Sequence, residues 1–244
     1  MSVRYSLVVT SCNRFDLLDE TLASFQATAD VAPAQVIVTE DSGKAEVGNV
    51  VRRYFADAEV IVNVPQLGQM RSIDLAYSKV TNDYIFHCED DWLFFRRGFI
   101  SESAALLAAD QRISMVILRA RSDLNPLVRK LPRKIVGGVA CFLYDPSLHP
   151  EHFSYSFNPG LRRLSDARKL GPFAPIGSED DVSFHFKKAG YYMAALDEPA
   201  VRHLGHDRHV DDPMQRKRAT NLFERWSRSI YKRVKRVRRS LARP

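Results

Sequence analysis

The chain has 244 residues, 45% of them hydrophobic, which is enough apolar material for a packed core and excludes a disordered or fibrous class. Its net charge of +7 is unevenly placed: 12 of the 36 Lys and Arg, but only one of the 29 Asp and Glu, follow Met214. The body is therefore slightly acidic, and the basic character belongs to the tail rather than to a nucleic-acid-binding domain.

The first hundred residues alternate strand and helix. Tyr5 to Thr10 is a short apolar run of the kind a buried parallel strand shows. Leu17, Leu18, Leu22 and Phe25 then recur at helical spacing within Asp16 to Phe25. Val36 to Thr39 is a second strand, and Val47, Val51 and Phe55 mark a second helix. Val60 to Val62 is a third strand, Met70 to Lys79 a third helix, and Tyr84 to Cys88 a fourth strand. Such alternation implies a doubly wound, mostly parallel sheet flanked by helices. Further on, Ile100 to Ala109 reads as a helix and Met115 to Leu118 as a strand. Val136 to Leu143 reads as one strand with Gly137 and Gly138 inside it. His149 to Gly177 has little periodicity and is expected to be an irregular binding loop or lid. Asp181 to Ala189 is helical again, followed by the strand Tyr191 to Leu196. Nothing in the composition divides residues 1–214, so one domain is expected there, with residues 215–244 as an extension.

In open parallel sheets ligands bind beyond the carboxyl ends of the strands. Thr10-Ser-Cys-Asn-Arg14 follows the first strand, Glu40-Asp-Ser-Gly43 the second and Glu89-Asp-Asp-Trp92 the fourth. Carboxylates gathered at one edge repel each other unless a cation or a donor-rich ligand relieves them. On an extended segment Glu89 and Asp91 face the same way. Mg²⁺ and Mn²⁺ prefer such oxygens and complete their shells with water and substrate phosphate.

These blocks resemble family 2 and related GT-A glycosyltransferases from Ser6 to about Gly205. Leu7 to Arg14 is similar to the family's opening strand and turn, which brings Thr10, Asn13 and Arg14 to the donor. Val36 to Gly43 resembles the acidic second-strand motif, so Asp41, with Glu40 beside it, is expected at the nucleobase. The stretch from Leu67 leads into the DxD motif, with Arg71 near the base or phosphates. Glu89-Asp90-Asp91 stands where the DxD stands and is closest to the EDD form of some N-acetylglucosaminyltransferases, in which the last aspartate binds the metal. The resemblance thus implies Mn²⁺ or Mg²⁺ on Asp91, with Glu89. Ser178-Glu-Asp-Asp-Val182 resembles the ED motif that supplies the catalytic base of an inverting reaction. A carboxylate within hydrogen-bond reach of an acceptor hydroxyl can take its proton during attack. Gly190 comes about one residue earlier than the commonest family spacing, so Asp180 is the first candidate, with Asp181 and Glu179 beside it. His203-Leu-Gly205 matches a family histidine that adds a metal ligand, and His206 and His209 are alternatives. His87, inside a strand, reads as packing.

The implied activity is transfer of a sugar from a nucleotide-diphosphate donor, UDP-sugars favoured, to a glycan or lipid-linked acceptor. Two rivals remain: a non-catalytic sugar- or nucleotide-binding module of the same fold, and a sugar-phosphate nucleotidyltransferase. The latter carries a Gly-rich loop after the first strand, where this chain has none. Cys12, Cys88 and Cys141 lack metal-ligand spacing and read as reduced core thiols, which favours a reducing compartment. No run approaches the roughly 20 apolar residues of a membrane span, and no signal-peptide pattern precedes the first strand. A cytoplasmic location is expected. In the tail, Leu222, Trp226, Ile230, Val234, Val237 and Leu241 recur at three- and four-residue spacing with basic residues opposite. That pattern fits a helix lying on the inner face of an anionic membrane, or one docked on its own domain. No nucleic-acid partner is expected.

Overall fold

A computed structural model of the chain describes residues 3–205, 208, 210, 212, 213 and 222–241. Its first half follows the expected alternation. Strands β1 (Tyr5–Ser11), β2 (Gln35–Glu40), β3 (Glu59–Val62) and β4 (Tyr84–Glu89) are interleaved with helices α1 (Phe15–Thr28), α2 (Val47–Arg52) and α3 (Gln69–Ser78). β1 pairs in parallel with β2 on one side and β4 on the other, and β3 joins β2 in parallel. All seven residues of β1 are buried, because helices cover both faces of the sheet. Period two sorts its side chains. Leu7 and Val9 pack with Leu18, Leu22 and Phe25 of α1, whereas Val8 packs with Ile73 and Ala76 of α3. His87 is fully buried on the α3 side, its ring edge-on to Tyr77 and Phe157.

Beyond Cys88 the chain departs from the parallel pattern. A short arm, β5 (Trp92–Phe94), leaves the main sheet and pairs with β11 (Val201–His203) in an antiparallel ribbon. After α4 (Phe99–Ala109) and β6 (Ile113–Ile117), the expected single strand Val136 to Leu143 is a hairpin. β7 (Lys134–Val136) and β8 (Val139–Leu143) pair antiparallel. Gly137 and Gly138 form its turn with φ of 55° and 81°, in the region that favours glycine. The segment 149–177 is likewise not a plain loop. It contains β9 (Gly160–Arg163) and α5 (Leu164–Leu170). β9 inserts antiparallel between β4 and β6, at the centre of a nine-stranded sheet ordered β3-β2-β1-β4-β9-β6-β10-β8-β7. Here β10 is Tyr192–Leu196.

Arginine at the centre of a sheet is costly unless its donors are used. Arg162, 1% exposed, donates to the Tyr155 hydroxyl at 3.1 Å and to the carbonyls of Ser156 and Asn158 at 3.1 and 3.0 Å. Arg163 bonds the Asp166 carboxylate at 2.9 Å and reaches the carbonyls of Leu107, Gln111 and Ile113. The two side chains therefore lace the loops to the sheet from either face.

Helix α6 (Glu179–Lys188) begins two residues earlier than its periodicity implies. Ser178 caps it, and the Asp181 carboxylate reaches back to the Ser178 amide at 3.0 Å, forming a capping box. Helix α7 (Leu222–Leu241) closes the chain. Among the described residues no helix is long and apolar enough to cross a membrane.

Candidate active site

The carboxyl ends of β1, β2 and β4 open onto a cleft of about 340 Å³. Its wall includes Thr10, Arg14, Asp41, Glu89, Asp90, Asp91 and His203. β4 ends at Glu89, and the bend at Asp90 and Asp91 frees the chain from strict alternation. All three carboxylates consequently line the cleft, rather than Glu89 and Asp91 alone.

Arg14 stands opposite them. Its guanidinium pairs with Asp90 and donates to Asp91 Oδ2 at 2.7 Å. Asp90 is fully buried, and burial followed by the Asp91 charge pushes its carboxyl up to about 6, against the pull of Arg14. Glu89 is raised further, to about 8, by burial and then by Asp91, Glu179 and Asp90. Gln69, in the first turn of α3, donates to Glu89 Oε1 at 2.8 Å. Asp91 Oδ1 is buried and has no hydrogen-bond partner among the described residues.

His203 reaches this group through the β5–β11 ribbon. It pairs across from Trp92, its ring 4.9 Å from the indole, and its Nε2 lies 3.2 Å from Asp91 Oδ2. The Leu204 amide donates to the Asp91 carbonyl at 2.8 Å. A Cβ on Gly205 would lie 2.6 Å from Asp91 Oδ2, so only glycine lets the chain pass so close. His206 and His209 lie outside the described residues.

No group of three His, Cys, Asp or Glu side chains is assembled as a metal cage among the described residues. The donor set still suits a hard divalent cation. An orphaned carboxylate oxygen on Asp91 and an imidazole beside its partner oxygen supply two ligands, and water and a diphosphate can complete the shell.

The remaining donor-side residues divide. Thr10 lines the cleft. Asp41 also lines it, but its oxygens already accept from the amides of Leu67 and Gly68, each at 2.8 Å, and from Asn63 and Ser72. It shapes the 63–68 loop and keeps lone-pair capacity only on Oδ2. Glu40 does not line the cleft. It is fully buried and accepts from the amides of Asn13 and Ser42, each at 2.9 Å. Asn13, at φ 56°, lies in an adjoining shallow cleft with Lys44. Arg71 is exposed on α3 and outside both clefts. Gln66, Ser72, Arg208 and Asp212 also line the main cleft. Nothing in their sequence setting marks them, because the start of α3 and segments distant in the chain bring them in.

A second pocket of about 200 Å³ holds Glu179 and Asp180, with Arg119, His152, Tyr155 and Asn158. The three acidic residues of the motif have different surroundings. Glu179 is half-buried, loss of solvent raises its carboxyl, and it accepts from the Ser156 hydroxyl at 2.7 Å. Asp181 caps its own helix and pairs with Lys235 at 2.6 Å and with Arg239. Asp180 is half-exposed, and a hydrogen bond from His152, at 3.2 Å, holds its carboxyl below the usual range. The two pockets adjoin. Arg119 donates to Asn158 in the second and lies over the Trp92 ring that follows the acidic bend of the first.

This layout matches a known family. The model of "Glycosyl transferase family 2" matches residues 6–171. The chain belongs to that family. Solved structures agree on the GT-A fold. The mannosyltransferase PcManGT from Pyrobaculum calidifontis, in complex with GDP-Man and Mn²⁺, superposes with a TM-score of 0.59 at 18% identity over 82% of this chain. GalNAc-T7 with UDP, GalNAc and Mn²⁺ gives 0.63 at 13% over 83%. S. aureus TarS gives 0.59 at 11% over 83%. The chain spans 55%, 44% and 37% of those three chains. A comparison with curated protein sequences finds no match. Membership of a glycosyltransferase family sets aside the nucleotidyltransferase alternative.

Proposed function

We propose that this glycosyltransferase is metal-dependent and inverting, and that it moves a sugar from a nucleotide-diphosphate donor, UDP-sugars favoured, to an acceptor hydroxyl. The observation that carries the reading is the pairing of two adjoining pockets: one floored by Glu89, Asp90 and Asp91, the other opened by the half-exposed Asp180. Neighbouring structures hold GDP-Man with Mn²⁺, or UDP with Mn²⁺, and the donor chemistry follows from that analogy.

Asp91 and His203 would hold Mn²⁺ or Mg²⁺, with Glu89 beside them. The cation would neutralise charge developing on the leaving diphosphate. Arg14, already poised over the carboxylates, supplies a forked donor suited to phosphate oxygens. Thr10 and the free lone pair of Asp41 face the nucleoside end. Across the junction Asp180 accepts the proton of the attacking hydroxyl, while Glu179 and Asp181 are tied up in structure. In-line attack with base and leaving group on opposite sides of the sugar would invert the anomeric centre in one displacement. The acceptor class is a glycan or a lipid-linked glycan. A cytoplasmic setting on the inner membrane face, in surface-glycan synthesis of the bacterial type, goes with the basic tail.

A thermal-shift panel of nucleoside diphosphates with and without Mn²⁺ tests the donor half, since a ligand that binds only the folded state raises its stability. Stabilisation by UDP that depends on Mn²⁺ is expected. Equal shifts with and without the metal would sink metal dependence, and retention of configuration in the product would sink the single displacement.

A further inference from the structure

Helix α7 is docked the wrong way round for a helix completing a core. Its described contacts to the body are made by basic side chains. Lys235 pairs with Asp181 at 2.6 Å, Arg236 with Glu151 at 3.3 Å, and Arg239 with Glu151 at 2.7 Å and with Asp181. The Arg239 guanidinium also lies 4.5 Å from the centre of the Phe184 ring on α6. At about 100° per residue, Lys235 and Arg239 share one face of the helix. The opposite face carries Trp226, Ile230, Val234 and Val237, which are 64, 41, 44 and 60% exposed. Arg233 and Arg238, both exposed, flank that apolar stripe.

The clasp is not made at an arbitrary place. Asp181 and Phe184 lie on α6, whose first turn presents Asp180. Glu151 immediately precedes His152 and Phe153, which wall the pocket beside Asp180. Both segments that hold α7 therefore also contribute to the wall of that pocket.

We propose that the outer face of α7 is a docking surface for an anionic lipid bilayer, and that the clasp thereby presents the Asp180 pocket to an acceptor anchored in that bilayer. An apolar stripe flanked by arginines matches an acyl–headgroup boundary carrying negative charge. With the stripe on the lipid, the helix is a spacer of about 10 Å between the surface and Asp181. A lipid-borne sugar can reach across that distance, and its confinement to the surface raises its effective concentration. The inference rests on the transferase reading for the role of the pocket, but not for the docking surface.

The chain's two tryptophans supply the probe: Trp92 is 2% exposed and Trp226 64%. The full-length protein is titrated with phosphatidylcholine vesicles with and without phosphatidylglycerol. A blue shift of Trp226 emission with the anionic vesicles only, lost in Val234→Asp/Val237→Asp, is expected. No shift, or a lipid-independent shift that grows with protein concentration, would overturn the bilayer as occupant, the latter in favour of a second copy of the chain. Transfer is then compared between octadecyl glycosides in the vesicles and the same glycosides with a methyl aglycone. The anchored series should be favoured on the order of tenfold or more. Arg239→Ala, and Glu151→Gln, which leaves the tail's charge intact, should keep the tryptophan shift and the methyl-glycoside rate while losing that preference. Equal rates for the two series, or a preference untouched by both variants, would overturn the presentation of a lipid-borne acceptor. Absence of transfer to either series would count against the transferase reading, with the tryptophan shift still deciding the surface.

Discussion

At the scale of single residues, charge governs the site. Asp91 carries both the orphaned oxygen and the contact to His203, so Asp91→Ala should remove the Mn²⁺-dependent part of nucleotide stabilisation. The fold should persist, because Arg14 keeps Asp90. A variant with the wild-type Mn²⁺ response in the thermal-shift panel would disprove the assignment. Asp180→Asn should bind donor normally and transfer about 10²- to 10⁴-fold more slowly; an unchanged rate would move the base elsewhere. A third expectation concerns acid. Burial, then the neighbouring His152 and Arg236 charges, lowers the His149 imidazole from 6.5 to about 4, with Lys187 adding to that and Glu151 opposing it. A lowered folded-state value means that stability is complete above 6.5 and is lost as pH falls through that value toward 4. His149 is only partly buried, so after solvent screening the loss is about 1 kcal/mol, or roughly 2–4 °C. Melting curves between pH 7 and 4 should show it, and His149→Asn, which retains an acceptor for the amides of Glu151 and His152, should flatten it. The acidic motifs were legible in sequence because a strand end and a helix start are local features. Arg14 was legible as a donor-side residue after β1 through the family resemblance, but not as an ion-pair partner. That it is the counter-ion of Asp90 and Asp91 depends on contacts 76 and 77 residues apart.

Among the elements, the parallel half of the sheet was readable and the antiparallel half was not. Each βα unit of residues 5–89 pairs an apolar run with an adjacent amphipathic helix, and both periods are visible within a dozen residues. β9 offers neither. Its four residues are Gly160, Leu161, Arg162 and Arg163, and all are buried. Hydrogen bonds to carbonyls of the preceding loop for Arg162, and of the distant 107–113 segment for Arg163, make burial of those arginines tolerable, and no pattern in the sequence announces them. The Gly137–Gly138 turn was visible as glycine but was read as part of a strand. At Gly160 the backbone of β9 passes close to that of β6. An added Cβ would meet the Val116 carbonyl oxygen at 2.1 Å and its carbon at 3.1 Å. Backbone cannot yield as a side-chain tip does, so Gly160→Ala should cost about 2–3 kcal/mol. Thermal or urea unfolding that matches the parent chain would show that the strand has room to shift.

For the whole molecule, the tail was read as either a membrane helix or a helix docked on its domain; α7 touches the body through its basic face and leaves Trp226, Ile230, Val234 and Val237 exposed. Its described attachments are ion pairs and one arginine–ring contact; where such pairs are half-buried, as between Arg239 and Glu151, desolvation offsets much of the attraction, and those four apolar residues stand outside the core. A chain ending at Met214 should therefore melt within about 2 °C of the full-length protein and bind nucleotide as well. A marked fall in melting temperature or solubility on truncation would mean that the helix completes the body. The same molecule also has a timetable built into its strand order. β4 and β6 are finished by residue 117, yet the strand that lies between them ends at Arg163. During synthesis the inner half-sheet must wait, with an edge of β4 open, until β9 arrives. Open strand edges are where chains pair with the wrong neighbour. The join at β9 is made late and over a long sequence separation, which slows folding. The four residues at the centre of the sheet thus divide assembly into a period of exposure and a period of safety.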